Sequence, residues 1–340
     1  MFDKIIKYIS ASPLFTGKTP RFWHENGVVP QVLLPLSVVY FFVKRIISKS
    51  PEPRKFNVKV ICVGNAIAGG AGKTPTAIAI YKEILKLRPG ANIAFVSTGY
   101  KGRLRGPVEV KRDVHDFHDV GDEALLLAAY GRVIICKDRV QALELAESSG
   151  VEYAILDDGL HDKRIFKDIT FLVIDGKYGF GNNLLIPAGP LRDRLDYAIE
   201  GTDHIILIGD DAKNSVSQVK RYGRKNFPVL KSFIDVVTEP DKAQIYVAFA
   251  GIGRPQKFFD MLKKEMKLAV VETVEFADHH NYTKADMEHL EHIAKGQKAK
   301  LVTTEKDMIK LPKEFADTVE CVRIELRFED GDISEVLEKL

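Results

Sequence analysis

The segment Gly69-Gly70-Ala71-Gly72-Lys73-Thr74 carries the residue types of a phosphate cradle. Glycines let backbone N–H groups converge on phosphate oxygens, and a helix N-terminus adds its partial positive charge. Lys73 can neutralise β- and γ-phosphates, and Thr74 can offer a hydroxyl to Mg2+. The context fits, because the apolar run Lys59–Val63 reads as a buried strand before the loop and an apolar-faced helix follows it. A strict GxxxxGK[ST] loop would have glycine at position 67, where this chain has Ile67, so the loop is a variant closer to GGxGKT. ATPases with the KGGxGKT form place a lysine where Ala68 stands here. A plain tight turn would explain the glycines but not Lys73, Thr74 and the flanking strand and helix together.

A magnesium partner is expected at the end of a neighbouring strand, and Ala154-Ile-Leu-Asp157-Asp158-Gly159 supplies two carboxylates after an apolar run. Asp175 also ends an apolar run, but strands often end in Asp for turn chemistry alone. Guanine recognition would call for N/T-K-x-D. The string Thr304-Glu305-Lys306-Asp307 has the wrong order, so adenine is favoured.

Phosphoryl transfer to an alcohol needs a group that orients the hydroxyl and takes its proton. Asp122 in Val120-Gly-Asp-Glu-Ala124 and the cluster Asp278-His279-His280 are candidates, neither diagnostic alone. Asp122 and Glu123 would also serve as ordinary acidic residues opening a helix. The pairs His115/His118 and His289/His292 have metal-like spacing, but one lies in a charged loop and the other on a charge-rich helix, so zinc is not expected. Gly251-Ile-Gly253 does not continue as GxGxxG, since Gln256 occupies the next required position; it reads as a strand-to-helix turn with Pro255 near the first helical residue.

The elements that must hold these groups alternate between strand and helix. Apolar runs recur at Lys59–Val63, Ile93–Val96, Val133–Cys136, Tyr153–Leu156, Phe171–Ile174 and His204–Ile208. This spacing predicts an α/β fold, a P-loop NTPase domain with a mostly parallel sheet covered by helices on both faces. From Ile245 the pattern restarts: a strand to Ala250, a helix through Met266, a strand over Ala269–Val274, and a helix opened by a capping box of Thr283 with Asp286 and ending at Gly296. We therefore expect a P-loop domain over 56–240 and a smaller C-terminal α/β domain over 241–340, with a soft boundary at 235–244.

Residues 1–55 differ in character. They hold nine Lys or Arg against Asp3, Glu25 and Glu52, a net +6, which leaves the remainder at −3 within a total of +3. Such a modest total does not suggest a nucleic-acid binder. Asn26–Val43 is uncharged and meets Lys44 and Arg45, a membrane-seeking pattern. Pro30 and Pro35 would break its first half and leave a short, kinked span, so a helix lying in the interface is the favoured reading, with a buried core helix or a true span as alternatives. No long apolar stretch is followed by a small-residue cleavage site, so a secretory leader is not expected. Cys62, Cys136 and Cys321 are far apart in apolar runs, and buried reduced thiols in a cytosolic compartment are expected.

Taken together, Gly64-Asn65, Gly69–Pro75, Gly121-Asp122-Glu123, Asp157-Asp158-Gly159, Gly179–Asn182 with Pro187–Arg192, Phe276–His280 and Thr303–Asp307 resemble the tetraacyldisaccharide 4′-kinase (lipid A 4′-kinase) family over nearly the whole chain. The apolar N-terminal segment with Pro35-Leu36 and Tyr40 resembles that family's membrane-associated helix. The resemblance implies transfer of the ATP γ-phosphoryl group to the 4′-hydroxyl of a tetraacyldisaccharide 1-phosphate lipid, in lipid A biosynthesis, at the cytoplasmic face of the bacterial inner membrane. It also implies two domains that close over nucleotide. Carried residue by residue, Gly69–Gly72 and Lys73 bind phosphate, Thr74 binds Mg2+, and Asp157 and Asp158 serve the metal site. Asp122 becomes the base, assisted by His279, and Arg192 steadies phosphate charge. Asp193 stands where the family usually has Glu in a metal or orienting role, and Thr98 where it tends to have Arg. The runner-up is a membrane-associated regulatory ATPase, against which the absence of lysine at Ala68 counts.

Overall fold

The computed structural model describes residues 20–25, 27–47, 52–222, 227–329 and 332–340. The N-terminal basic residues Lys4, Lys7 and Lys18, with Asp3, Asn26, Lys49 and Pro51, lie outside them. The chain forms two compact units. Among described residues the larger comprises Arg21–Ile234 and Leu326–Leu340, and the smaller Asp235–Glu325.

The larger unit is built on β1 (Lys59–Gly64), β2 (Ile93–Ser97), β3 (Val108–Glu109), β4 (Arg132–Ile135), β5 (Tyr153–Asp157), β6 (Ile169–Asp175), β7 (His204–Ile208) and β8 (Val229–Val236). The smaller contains β9 (Ile245–Ala250), β10 (Ala269–Glu275), β11 (Lys300–Thr304) and β12 (Val319–Val322), and β13 (Ile324–Phe328) returns to the first sheet. The strand order in the large sheet is β13-β8-β7-β6-β1-β5-β2-β4-β3. The run from β8 to β4 is parallel, and β3 is antiparallel to β4. Every residue of β2, β5 and β6 is buried, as a parallel strand covered on both faces requires.

Alternate residues of one strand feed opposite faces. Ile61, Val63, Phe95 and Ile155 pack with Ala77, Ile80 and Ile84 of the helix Lys73–Leu87. Val60, Ala94, Val96 and Leu156 pack with Ala142, Leu143 and Ala146 of the helix Arg139–Ser148. The first of these clusters also takes in Leu326, Ile333 and Leu337. This is why the observed division differs from the expected one. The boundary falls at 234/235, and 326–340 rejoins the larger unit because its apolar residues complete the cover over the helix Lys73–Leu87. Arg88 donates to the Leu337 carbonyl at 3.1 Å, fixing that return.

The smaller unit is a four-stranded parallel sheet in the order β10-β9-β11-β12. Its helix Lys284–Gly296 opens with the expected capping box, in which Thr283 Oγ1 accepts from Asp286 N and Asp286 accepts from Thr283 N. Pro255 takes the first position of the helix Pro255–Asp260.

Two expectations meet a different structure. Val28–Ile47 is one unbroken 20-residue helix despite both prolines. Pro30 falls in the first turn, where no donor is lost, while Pro35 removes a single interior hydrogen bond. Cys62 and Cys136 are buried thiols as expected, but Cys321 is only half-buried, because it sits on a strand at the edge of the small sheet.

Candidate active site

The site is assembled at the C-terminal ends of β1 and β5. These strands pair in register, Val63 opposite Asp157, so the loop leaving β1 starts beside the carboxylate ending β5. Open parallel sheets place ligands at this end. Gly64 lets Leu160 approach so closely that a Cβ there would lie 2.4 Å from the Leu160 Cβ, which packs the Asp157-Asp158-Gly159 turn against the strand end. Gly72 precedes the helix Lys73–Leu87 with φ 89° and ψ 19°, and a side chain would strike Ile208 at 2.4 Å. Gly69 also has a positive φ of 109°, while buried Asn65 reaches the Gly69 carbonyl at 3.5 Å. Ala71 is buried against the apolar cluster beneath the loop, and Gly70 has open space around it.

Five of the expected residues come together here. Thr74 Oγ1 donates to Asp157 Oδ2 at 3.1 Å. Lys73 Nζ lies 3.8 Å from Asp158 Oδ2, and Arg192 Nη1 donates to the same oxygen at 2.7 Å. Asp158 itself adopts φ 61°, a left-handed conformation available to Asp more readily than to most residues. The other carboxylate oxygens, Asp157 Oδ1 and Asp158 Oδ1, are buried and accept no hydrogen bond from the protein.

The two acids are held in opposite electrostatic states. Burial raises the Asp157 carboxyl, and the charges of Glu123 and Asp158 add to this against the pull of Lys73. Burial also acts to raise Asp158, but Arg192 and Lys73 outweigh it and hold that carboxylate well below its usual range. His161 is pushed down to about 4, first by burial and then by Lys44 and Arg192, so its ring is neutral near pH 7.

Arg192 reaches the site because its backbone pairs with the phosphate loop. Ala68 N donates to Pro190 O at 2.8 Å and Arg192 N to Ala66 O at 3.0 Å. Asp193 goes elsewhere: it forms an ion pair with Lys44 of the N-terminal helix at 2.8 Å and does not join Asp157. That pairing spans most of the first two hundred residues, and no local pattern signals it. Lys44, His161 and Arg139, whose guanidinium donates to the Asp158 carbonyl at 2.8 Å, are neighbours of the site that residue spacing alone did not single out.

Asp122 is buried at the start of the helix Asp122–Leu127. Its Oδ1 accepts from Glu123 N at 2.9 Å. Gly121 enters the helix at φ 86° and ψ 151°, with a would-be Cβ 2.2 Å from the Tyr100 carbonyl. Ala124 and Leu127 share the apolar cluster of Ala77 and Ile80, which ties this helix to the one bearing Lys73 and Thr74.

His279 and His280 belong to the smaller unit. His280 stacks on Phe276 with ring centroids 4.6 Å apart, and its Nε2 lies 3.1 Å from Asp286 of the capping box. His279 has φ 59° and donates its backbone N–H to Gly251 O at 3.0 Å. The Gly251 N–H in turn donates to buried Asp307, which pairs with the fully buried Lys310 at 2.8 Å. The Thr303–Asp307 string thus braces the loop that carries His279. Among described residues no group of three or more His, Cys, Asp or Glu is arranged to hold a metal, the histidine pairs included.

A solved structure of LpxK from Aquifex aeolicus, described as in complex with ATP, superposes with a TM-score of 0.72 at 23% identity, covering 92% of this chain and 99% of that one. It shares the fold. Tetraacyldisaccharide 4′-kinase of Rhodospirillum rubrum is 37% identical over 317 residues, 92% of this chain and 94% of the relative. The enzyme of that name from Paramagnetospirillum magneticum is 38% identical over 314 residues, 91% and 94% of the two chains. The sequence pattern of tetraacyldisaccharide-1-P 4′-kinase matches residues 29–340. A match this long, carried by relatives of nearly equal length, makes the chain a member of the tetraacyldisaccharide-1-P 4′-kinase family.

Proposed function

We propose that this kinase transfers the γ-phosphoryl group of ATP to the 4′-hydroxyl of a tetraacyldisaccharide 1-phosphate, using Mg2+ and working at a membrane surface. The observation that carries the reading is the juxtaposition of Lys73, Thr74 and Asp157 at the end of β1 and β5, with a buried Asp157 oxygen that accepts nothing from the protein. That oxygen and the Thr74 hydroxyl fit a hard cation, which takes oxygen ligands. Mg2+ held by Thr74 and Asp157 would supply neutralisation of the charge on the transferring phosphoryl group.

The protein's own groups divide the remaining work. Backbone N–H groups of Gly69–Gly72 and the ammonium of Lys73 orient the phosphates, and Arg192 adds a second cation at the same Asp158 oxygen that Lys73 approaches. In transfer, the acceptor oxygen forms a bond to the γ-phosphorus while the bond to the β–γ bridging oxygen breaks and ADP leaves. Asp122 takes the acceptor proton, with His279 assisting; Asp157 and Asp158 serve the metal site. Asp193, bound to Lys44, serves to fix the adjoining helix in this reading.

The N-terminal helix supports the membrane part. Its inward stripe bears Ser37, Tyr40 and Lys44, while Val28, Val32, Leu36, Val39, Phe42 and Ile46 are all more than half exposed. A helix that is apolar outward and polar inward inverts the pattern of a soluble protein's surface helix. It is not a buried core helix. Its apolar length also passes as a possible span. The interfacial seating is favoured here because the inward stripe is committed to the larger unit, leaving the outer face for lipid on the cytoplasmic side of the inner membrane.

The test is to follow label from γ-labelled ATP into tetraacyl disaccharide 1-phosphate in detergent with Mg2+. Labelled lipid that disappears with Lys73→Ala supports the reading; label released only to water, whether or not acceptor is present, overturns it in favour of an ATPase.

A further inference from the structure

We infer that Tyr40 and Lys44 are positioning residues for Arg192, so that the seat of the N-terminal helix and the alignment of the phosphate-site cations form one device. The inference rests on the reading of Arg192 as a phosphate-site residue.

Within the larger unit, the helix is hydrogen-bonded to the stretch 185–197. Ser37 Oγ donates to Leu185 O at 2.8 Å and accepts from Ala188 N at 3.1 Å. Just before the helix, Trp23 Nε1 donates to Pro187 O at 3.0 Å. Tyr40 OH and Lys44 Nζ, one helical turn apart, both donate to the carbonyl of Arg192, at 2.9 and 2.6 Å. Lys44 also holds Asp193 at 2.8 Å.

A carbonyl has two lone pairs, and here the helix supplies donors for both. The N–H of the same residue is committed to Ala66 O at the root of the phosphate loop. The Arg192 backbone is therefore clamped between the helix and the loop, and its guanidinium starts from a fixed point to reach Asp158 at 2.7 Å. Simple anchoring would need only an apolar seam. Two polar side chains converging on one peptide oxygen do something narrower: they fix the direction from which Arg192 enters the site. A shift of the helix would remove both donors and re-aim the guanidinium.

The experiment is a double-mutant cycle on kcat in detergent micelles, where membrane attachment does not limit the rate. Tyr40→Phe keeps the ring and removes one donor, and Lys44→Met removes the charged donor. The expected losses are about five-fold for Tyr40→Phe and about ten-fold for Lys44→Met, the scale of neutral and charge-assisted hydrogen bonds. In an Arg192→Ala background both changes should have no further effect on kcat, while binding of Tyr40→Phe to anionic phospholipid vesicles stays at the wild-type level. Losses that persist undiminished in the Arg192→Ala background overturn the inference, since the two residues would then act by another route. So does an unchanged kcat in both single variants. If Arg192→Ala itself transfers phosphate normally, the reading of Arg192 fails, and the inference fails with it in a way the cycle identifies. Melting temperatures of each variant separate a misfolded chain from a misaligned one, and Tyr40→Phe, nearly isosteric, carries the decision if Lys44→Met unfolds.

Discussion

The Thr74 hydroxyl and the Asp157 carboxylate lie 3.1 Å apart although 83 positions separate them, because the parallel pairing of β1 with β5 puts the end of one strand beside the end of the other. Each is a metal-ligand type, and each is the other's partner in the protein. Mg2+ should replace that hydrogen bond. Thr74→Val and Asp157→Asn should each raise the Mg2+ concentration needed for half-maximal transfer and lower kcat by about 100-fold or more, the scale of a lost transition-state electrostatic contact. A magnesium titration of labelled-lipid formation checks this, and an unchanged midpoint in both variants would remove the pair from the metal site.

Asp122→Ala should leave nucleotide binding intact and cut transfer by about 100- to 10,000-fold, as expected for loss of a general base. Equilibrium binding of a labelled ATP analogue, set beside single-turnover transfer, separates the two effects. Retained transfer would exclude Asp122 as the base.

Gly121→Ala places a methyl group against a backbone carbonyl, Tyr100 O, which no rotamer change can move away. The φ 86°, ψ 151° conformation is itself nearly confined to glycine and costs other residues about 1–3 kcal/mol. Thermal unfolding should register this loss, and transfer should fall further than stability because the adjoining residue is Asp122. A melting curve equal to wild type would show that the turn relaxes.

The capping box of the smaller unit gives a pH signature. Burial acts to raise the Asp286 carboxyl, but hydrogen bonds from Thr283 and the contact with His280 outweigh it, and the folded value lies below the ordinary 3.8. A depressed carboxylate contributes stability that is present above the unfolded value and is lost as pH falls through the folded one. Melting temperature should therefore drop below about pH 4, and Asp286→Asn should flatten that drop while lowering stability near pH 7 by about 1 kcal/mol. A variant with the wild-type acid profile would assign the acid loss to other carboxylates.

Replacing Val32, Val39 and Phe42 by serine should abolish sedimentation with phospholipid vesicles and leave the melting temperature unchanged or higher, since all three side chains face outward. Persistent vesicle binding would place the lipid contact elsewhere.

Much of the architecture could be read directly from the chain because its central strands are apolar on both faces. The runs at Lys59, Ile93, Tyr153 and Phe171 needed no alternation to be seen, and Thr283 with Asp286 marked a helix start within a single turn. β8 escaped notice because exposed Lys231 and Phe233 alternate with buried Leu230 and Ser232 near the sheet edge, so no continuous apolar run marks it. The two prolines argued for a broken N-terminal helix, and packing against 185–193 overrides that local cost. At the site, Lys73, Thr74, Asp157 and Asp158 were conspicuous because each stands at a strand or helix end. The partner of Asp193 was not, since an ion pair with a lysine 149 positions earlier leaves no periodic trace.

The return of Leu326–Leu340 to the larger unit sets an order of events during synthesis. A ribosome completes everything up to Ile234 before it has made Leu326, Ile333 and Leu337, and those three leucine and isoleucine side chains belong to the cluster that covers the helix bearing Lys73 and Thr74. The nascent phosphate-binding unit must wait with that helix partly uncovered while some ninety residues of the smaller unit emerge and fold. A chain released early at residue 325 would hold both phosphate-loop residues yet lack part of the core beneath them, so proteolytic quality control has a ready mark for incomplete copies.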